Sequence, residues 1–293
     1  MNVLVTGANG QLGTEIREVS AGSRNRYLFS DVISYPGAET LHLDITNQDA
    51  VRLVCESEQV DVIVNCAGYT NVDKAEDEPA MAELLNSVAV GNLAKVAADR
   101  GATFIHISTD YVFQGDRPEP CREDWPTFPL GVYGSTKLSG EKEIEKSGCG
   151  SILFRTAWLY SPYGKNFVKT IRQLTAERPS IKVVFDQIGT PTYARDLAKV
   201  IVNIIDNNLL NNTGIYHYSN EGAVSWYDFA KAICELSGHA CDVQPCHTEE
   251  FPSKARRPRF SVLDKSKVKQ VFGIEIPYWR DSLKECIQKI ENK

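Results

Sequence analysis

MNVLVTGANGQLG, residues 1–13, is the stretch that decides the fold class. Val3-Leu4-Val5-Thr6 is a short apolar run ended at once by glycine, the pattern of a buried strand. Gly7, Gly10 and Gly13 follow at three-residue spacing and open a helical pattern that runs to about residue 20. In such a strand–turn–helix unit Gly7 suits the tight turn, Gly10 lets backbone approach a pyrophosphate, and Gly13 lets helix and strand pack closely. The helix start adds unpaired N–H groups and the positive end of a dipole. A merely structural turn is the alternative. Placement after the first strand of an alternating pattern favours dinucleotide binding.

Working outward, strands read at 26–31, 40–46, 60–68 and 103–108, with helices over 47–58 and 78–101 between them. Such alternation predicts an α/β fold, a Rossmann-type doubly wound parallel sheet. The proline-bearing stretch 117–134 reads as a surface loop, followed by a helix over 135–146 and a strand over 151–160. Beyond it come helices near 166–177, 194–207, 225–237 and 279–291 and a strand at 215–219. We expect an NAD(P)-binding domain over 1–155 and a smaller α/β substrate-binding region over 156–293, discontinuous, with some segments returning to the first domain.

Composition narrows the class. Apolar residues are 42% and charged residues 24% of 293, as in ordinary globular proteins. The net charge of −6 lacks the basic excess of a phosphate-neutralising nucleic-acid binder. No apolar run approaches the roughly 20 residues of a membrane span. No signal-peptide pattern opens the chain, so the eight cysteines read as reduced thiols in a cytoplasmic protein. His239, Cys241, Cys246 and His247 match no paired zinc-ligand spacing, and no metal is expected there.

Three groups carry chemistry. Asp31 ends the second strand eighteen residues after Gly13, where a carboxylate accepts from an adenosine ribose and repels a 2′-phosphate, favouring NADH over NADPH. Capping a turn is its other reading. Tyr133 and Lys137 stand at i and i+4, one helical turn apart. Bringing a phenol from about 10 toward 7 needs roughly 4 kcal/mol, which one ammonium at about 4 Å supplies at an effective dielectric near 20. Most Tyr-x-x-x-Lys pairs are solvated helix faces. Ser108-Thr109 changes that weight, because it ends the fifth strand at the carboxyl edge where such sheets bind ligands. There Thr109 is placed to donate to a carbonyl near Tyr133; simple strand termination is the other reading.

With these residues the chain resembles the extended short-chain dehydrogenases/reductases. The strings VNCAGYTNVDKAEDEP (64–79), STDYVFQGD (108–116), YGSTKLSGE (133–141), FRTAWLY (154–160), DQIGTPT (186–192) and ARRPRFSVLD (255–264) resemble the dTDP-4-dehydrorhamnose reductase family from Met1 to about Glu291. The resemblance implies NAD(P)H-dependent reduction of the 4-keto group of dTDP-4-dehydro-β-L-rhamnose to dTDP-L-rhamnose. It implies Tyr133 as proton donor, Lys137 as its pKa-lowering and ribose-binding partner, and Thr109 as the carbonyl-side hydroxyl. Gly10, Gln11 and Leu12 would meet the pyrophosphate, Asp31 the ribose, Asp44 and Ile45 the adenine, and Gly68, Tyr69 and Thr70 the nicotinamide half. Asp110, Trp158 and Asn166 would line the sugar site, and Arg256 and Arg257 would serve the diphosphate. On composition alone Trp158 fits a core as well as a pocket.

Some relatives are Mg²⁺-bridged dimers that use acidic residues from three places. Glu15 matches the first, but Arg195 and Lys289 stand at the other two, and a cation repels Mg²⁺. We expect no metal, and a monomer or a homodimer without a metal bridge. The alternatives are a related sugar-nucleotide reductase or epimerase, and a non-catalytic NAD(P)-binding regulatory subunit like that of methionine adenosyltransferase.

Overall fold

The computed structural model describes all residues except Tyr35, Pro36, Ala38, Pro252 and Lys293. The chain starts in strand β1 (Asn2–Thr6), passes through helix α1 (Gln11–Val19) to β2 (Arg26–Asp31), and reaches one sheet edge at β3 (Leu41–His42). Helix α2 (Gln48–Ser57), whose Ala50 N–H is capped by the Asn47 side chain, carries it back past β1 to β4 (Val62–Asn65). There follow α3 (Val72–Ala75), α4 (Pro79–Glu83), a π-helical turn at Leu84–Val88, and α5 (Ala89–Arg100). Then come β5 (Thr103–Thr109), α6 (Val132–Ser147) and β6 (Ser151–Thr156). The later elements are β7 (Leu159–Tyr160), α7 (Phe167–Glu177), β8 (Ser180–Val184), β9 (Ile188–Gly189), β10 (Thr192–Tyr193) and α8 (Ala194–Asp206). The chain finishes with β11 (Gly214–Tyr218), β12 (Val224–Ser225), α9 (Trp226–Leu236), β13 (Asp242–Cys246), α10 (Ser266–Phe272) and α11 (Trp279–Glu291).

Seven strands pair in the order β3-β2-β1-β4-β5-β6-β11, every pairing parallel. The fold is therefore the expected doubly wound α/β sheet. Strand order reverses between β1 and β4, so the crevice that such sheets use for ligands opens beside Gly7. Both faces of β1 are apolar because both are covered. Val3 and Val5 pack with Leu12, Ile16 and the α8 residues Leu197 and Ile201, while Leu4 packs with Val51, Val90 and Leu93 on the other side. A separate core joins α7, α9 and α11 to the parallel pair β8–β13, with Val168, Phe229 and Leu283 at its centre. Among the described residues no helix is long and apolar enough to cross a membrane. All eight cysteines are free thiols.

Several expected elements differ. The strand expected over 40–46 is only Leu41–His42, because the Asp44 side chain takes the Thr46 N–H at 2.9 Å and turns the chain. The one expected over 60–68 ends at Asn65, whose side chain accepts the Ala67 N–H at 3.1 Å and draws the chain out of the sheet. The long helix expected over 78–101 contains the π turn. Helix α6 begins at Val132 rather than 135, which puts Tyr133 in its first turn. The run 151–160 is broken at Ala157-Trp158, where Trp158 takes φ +48°, and β7 leaves the sheet to pair with β10. Sequence patterning suggested neither β8, β13 nor α10.

Arg155 on β6 and Glu141 on α6 form a buried ion pair at 2.7 Å, and Glu141 also accepts from Ser108. Glu141→Leu leaves Arg155 charged and unpaired, and should cost about 3–5 kcal/mol in urea unfolding; Glu141→Leu with Arg155→Met should recover most of that loss.

Candidate active site

The carboxyl ends of β1, β2, β4, β5 and β6 open into one cleft of about 720 Å³. Gly7, at φ +64°, makes the turn out of β1, and a Cβ there would lie 2.5 Å from the Ala67 nitrogen. Gly10 caps α1 and donates its N–H to the Gly7 carbonyl at 3.0 Å. Gly13 sits behind the loop, and a Cβ there would meet Gly7 O and Ala8 Cα at 2.5 Å. Its closeness is thus to the glycine turn itself. Both carboxylate oxygens of Asp31 brace this region, one accepting the Asn9 N–H at 3.0 Å and the other the Ile33 N–H at 3.1 Å. Turn capping and a place on the cleft wall hold together for this residue.

Most sequence-predicted residues meet here. Gly7, Gly10, Gln11, Leu12, Asp31, Asp44, Ile45, Gly68, Thr70, Thr109, Asp110, Tyr133, Lys137, Trp158, Asn166 and Arg257 all line the cleft. Three lie off it. Gly13 is behind the loop; Tyr69 turns its phenol to Glu78 at 2.7 Å; and Arg256 is exposed. Arg257 reaches the wall while ion-paired to Asp73 at 2.7 Å. Asn166 caps α7 and donates to the Gln11 side chain at 2.9 Å, which ties the glycine loop to the second core. Trp158 is both pocket and packing residue: it stacks on Trp226 with ring centroids 3.4 Å apart while facing the cleft.

Thr109, Tyr133 and Lys137 converge at the end of β5. Desolvation pushes the Tyr133 phenol up to about 12, and the Asp110 charge adds to the rise. The Lys137 ammonium donates to the Ile107 carbonyl at 2.6 Å. Burial also brings Lys137 down to about 8 against the pull of Glu141. Thr109 has one proton, and gives it to Asp110 Oδ1 at 3.0 Å while its oxygen accepts the Tyr111 N–H at 3.2 Å. Burial raises the Asp110 carboxyl to about 6, against hydrogen bonding from Ser261 and Thr109.

Sequence reasoning missed Asn86, which sits in the π turn. Its side chain accepts the Tyr69 N–H at 2.8 Å and donates to the Tyr69 carbonyl and to Thr136. The run 78–101 reads as one unbroken helix, so nothing in it marked the π turn, a feature that gathers at functional sites. Trp226 was missed for want of any local signal.

The acidic junction expected to lack metal is filled from within. Glu15, which has no accessible surface, meets Arg195 at 3.1 Å and Lys289 at 3.3 Å, and Glu18 takes both cations as well. Two side-chain cations hold the carboxylates that Mg²⁺ would need and would repel it, so this junction does not fit the ion. His239 meets Thr175 at 2.8 Å, while His247 lies apart from it, its ligand atoms grouped with those of Asp186 and Glu249 within 4.8 Å of one another at the surface.

The RmlD substrate binding domain family matches residues 1–292. A dTDP-4-dehydrorhamnose reductase of Burkholderia thailandensis is 36% identical, the match covering 99% of each chain. A solved dTDP-4-dehydrorhamnose reductase of Clostridium acetobutylicum is 41% identical with a TM-score of 0.92, covering 99% of this chain and 100% of that one. That of Bacillus anthracis, solved in complex with NADP, is 38% identical with a TM-score of 0.89, covering 100% and 99%.

Chelator is expected to leave the unfolding temperature where excess Mg²⁺ leaves it, whereas Arg195→Ala should cost about 1–3 kcal/mol by stripping one cation from buried Glu15. A rise in unfolding temperature with Mg²⁺ would restore the metal reading. With the cleft, the glycine loop and full-length matches in agreement, the chain belongs to the dTDP-4-dehydrorhamnose reductase family.

Proposed function

We propose that this chain reduces the 4-keto group of dTDP-4-dehydro-β-L-rhamnose to give dTDP-L-rhamnose, with NADH or NADPH as reductant. The observation that carries the reading is one cleft holding the glycine loop at one end and Thr109, Tyr133 and Lys137 at the other. The names of its relatives support the same substrate. The cradle fits a dinucleotide: Gly10, Gln11 and Leu12 would hold the pyrophosphate at the α1 N-terminus, Asp31 the ribose, and Asp44 and Ile45 the adenine side. When bound, the reduced nicotinamide supplies hydride.

The chain's own residues handle position and proton. Tyr133 holds a proton on its phenol and passes it to the C4 oxygen as that oxygen gains charge. The Lys137 ammonium is the group assigned to lower that phenol against the desolvation that raises it, with one unit of pKa worth about 1.36 kcal/mol. Thr109 donates to the same oxygen once it releases Asp110, which protonation of the Asp110 carboxyl permits. The Trp158–Trp226 stack gives the sugar an apolar wall, and Arg257 supplies a guanidinium for the diphosphate. The Asp31 charge favours NADH over NADPH, although one relative was solved with NADP. The junction around Glu15 supports a monomer or a homodimer without a metal bridge.

The test is loss of reduced-nicotinamide absorbance on adding enzymatically prepared dTDP-4-dehydro-L-rhamnose, with NADH and NADPH compared and the product identified by NMR. Tyr133→Phe should lower turnover about 10²–10⁴-fold while leaving NADH binding intact; activity above about a tenth of the parent would remove Tyr133 from that role.

A further inference from the structure

Beneath the cleft floor, β1, β4 and β5 carry a line of buried polar side chains that ends on Lys137. The Ala67 N–H donates to Asn65 Oδ1 at 3.1 Å, and Thr6 Oγ1 meets the same atom at 2.7 Å. A backbone N–H can only donate, so that atom is the amide oxygen, and the Asn65 NH₂ must face His106 Nδ1 at 3.1 Å. Nδ1 therefore accepts. The ring has no accessible surface, and burial together with the Lys137 charge holds it well below the usual histidine range, so it is neutral. A neutral imidazole that accepts at Nδ1 carries its proton on Nε2. That N–H is directed at Lys137 Nζ, 3.4 Å away.

An ammonium has no lone pair and meets this N–H donor against donor, whereas an amine accepts it. We propose that His106 is a positioning residue for the reduction: by presenting Nε2–H to Lys137 it favours the amine over the ammonium and so sets the pH at which Lys137 loses its charge. The proposal rests on the reading of Lys137 as the partner of Tyr133. The other titratable groups around Lys137 are few. On α6 they are Tyr133 one turn before and Glu141 one turn after, the latter held by Arg155 of β6. Just past β5 stand Asp110 and Tyr111, while Gly68 and Asn86 bring no charge. Burial and Glu141 act on Lys137 in opposite directions; the proposed histidine donor acts in the same direction as burial.

The sign follows directly. A donor that opposes the ammonium lowers the lysine pKa, so removing it raises that pKa and carries the basic limb of the pH–rate profile upward. Two different substitutions remove it. His106→Phe deletes the N–H. Asn65→Asp keeps the ring but offers Nδ1 a carboxylate acceptor, which moves the proton to Nδ1 and turns the Nε2 lone pair toward Lys137.

The experiment is a pH titration of the Lys137 ε-carbon in ¹³C-lysine-labelled protein, parent and both variants, beside kcat/KM against pH. Folding is checked by circular dichroism. Both variants should raise the lysine titration by about one pH unit, with the basic limb moving by the same amount. A lysine titration unmoved in the folded variants overturns the proposal, as does a ¹⁵N-histidine spectrum of the parent protein showing the Nδ1–H tautomer, a measurement that needs no variant to fold. A parent chain that turns over no keto-sugar defeats the reading of function instead. A lysine that titrates higher while the basic limb stays put also overturns the proposal.

Discussion

Helix α6 lies against its neighbours at distances that only glycine allows. A Cβ on Gly134 would sit 2.3 Å from the Tyr111 carbonyl oxygen, and one on Gly140 would sit 2.1 Å from that of Asn86. These two approaches, one at the end of β5 and one at the π turn, fix the height and rotation of the helix. Tyr133 precedes the first and Lys137 lies between the two, so both side chains are delivered to the end of β5 by backbone contact. Larger residues at 134 or 140 would push the helix outward and separate the hydroxyls and amine that the cleft brings together.

Strand β5 then distributes polar contacts on both sides. Ser108 reaches Glu141 and through it Arg155; His106 reaches Asn65 and Lys137; Thr109 reaches Asp110. An isolated buried polar group is costly, so a strand carrying this many must fix each donor and acceptor. That requirement is met by single assignments, such as the backbone N–H of Ala67 that sets the Asn65 amide. Pre-set side chains of this kind lose little freedom on receiving substrate.

How much of this was legible follows from the range of the forces involved. The sheet was, because Val3, Leu4 and Val5 declare a strand covered on both faces, and the glycines behind it declare a turn. Tyr133, Lys137 and Thr109 were, since spacing along one helix and one strand end is local information. The 151–160 run misled because nothing in FRTAWLY marks the left-handed Trp158. That conformation depends on Trp226 and on the nearby Gly189, where a Cβ would lie 2.7 Å from the indole. The pairing of β8 with β13 joins segments about sixty residues apart, and the polar line through His106 spans three strands. Neither has a period to read. Tyr133 also shows a limit of pairwise electrostatics: at four-residue spacing an ammonium suffices to lower a phenol, yet in the folded cleft desolvation of the phenol is the larger effect.

The contact of Glu15 and Glu18 with Arg195 and Lys289 also constrains the order in which substitutions can accumulate. Because Glu15 is fully enclosed, it tolerates losing one cation far better than losing both, and an acidic residue at 195 would enclose like charges together. Positions 15, 195 and 289 are therefore tied, although they lie on helices from the beginning, middle and end of the chain. Exchanging a cation there for a neutral residue such as glutamine is milder than exchanging it for a carboxylate. Drift at any one of the three sites is held in check by the other two.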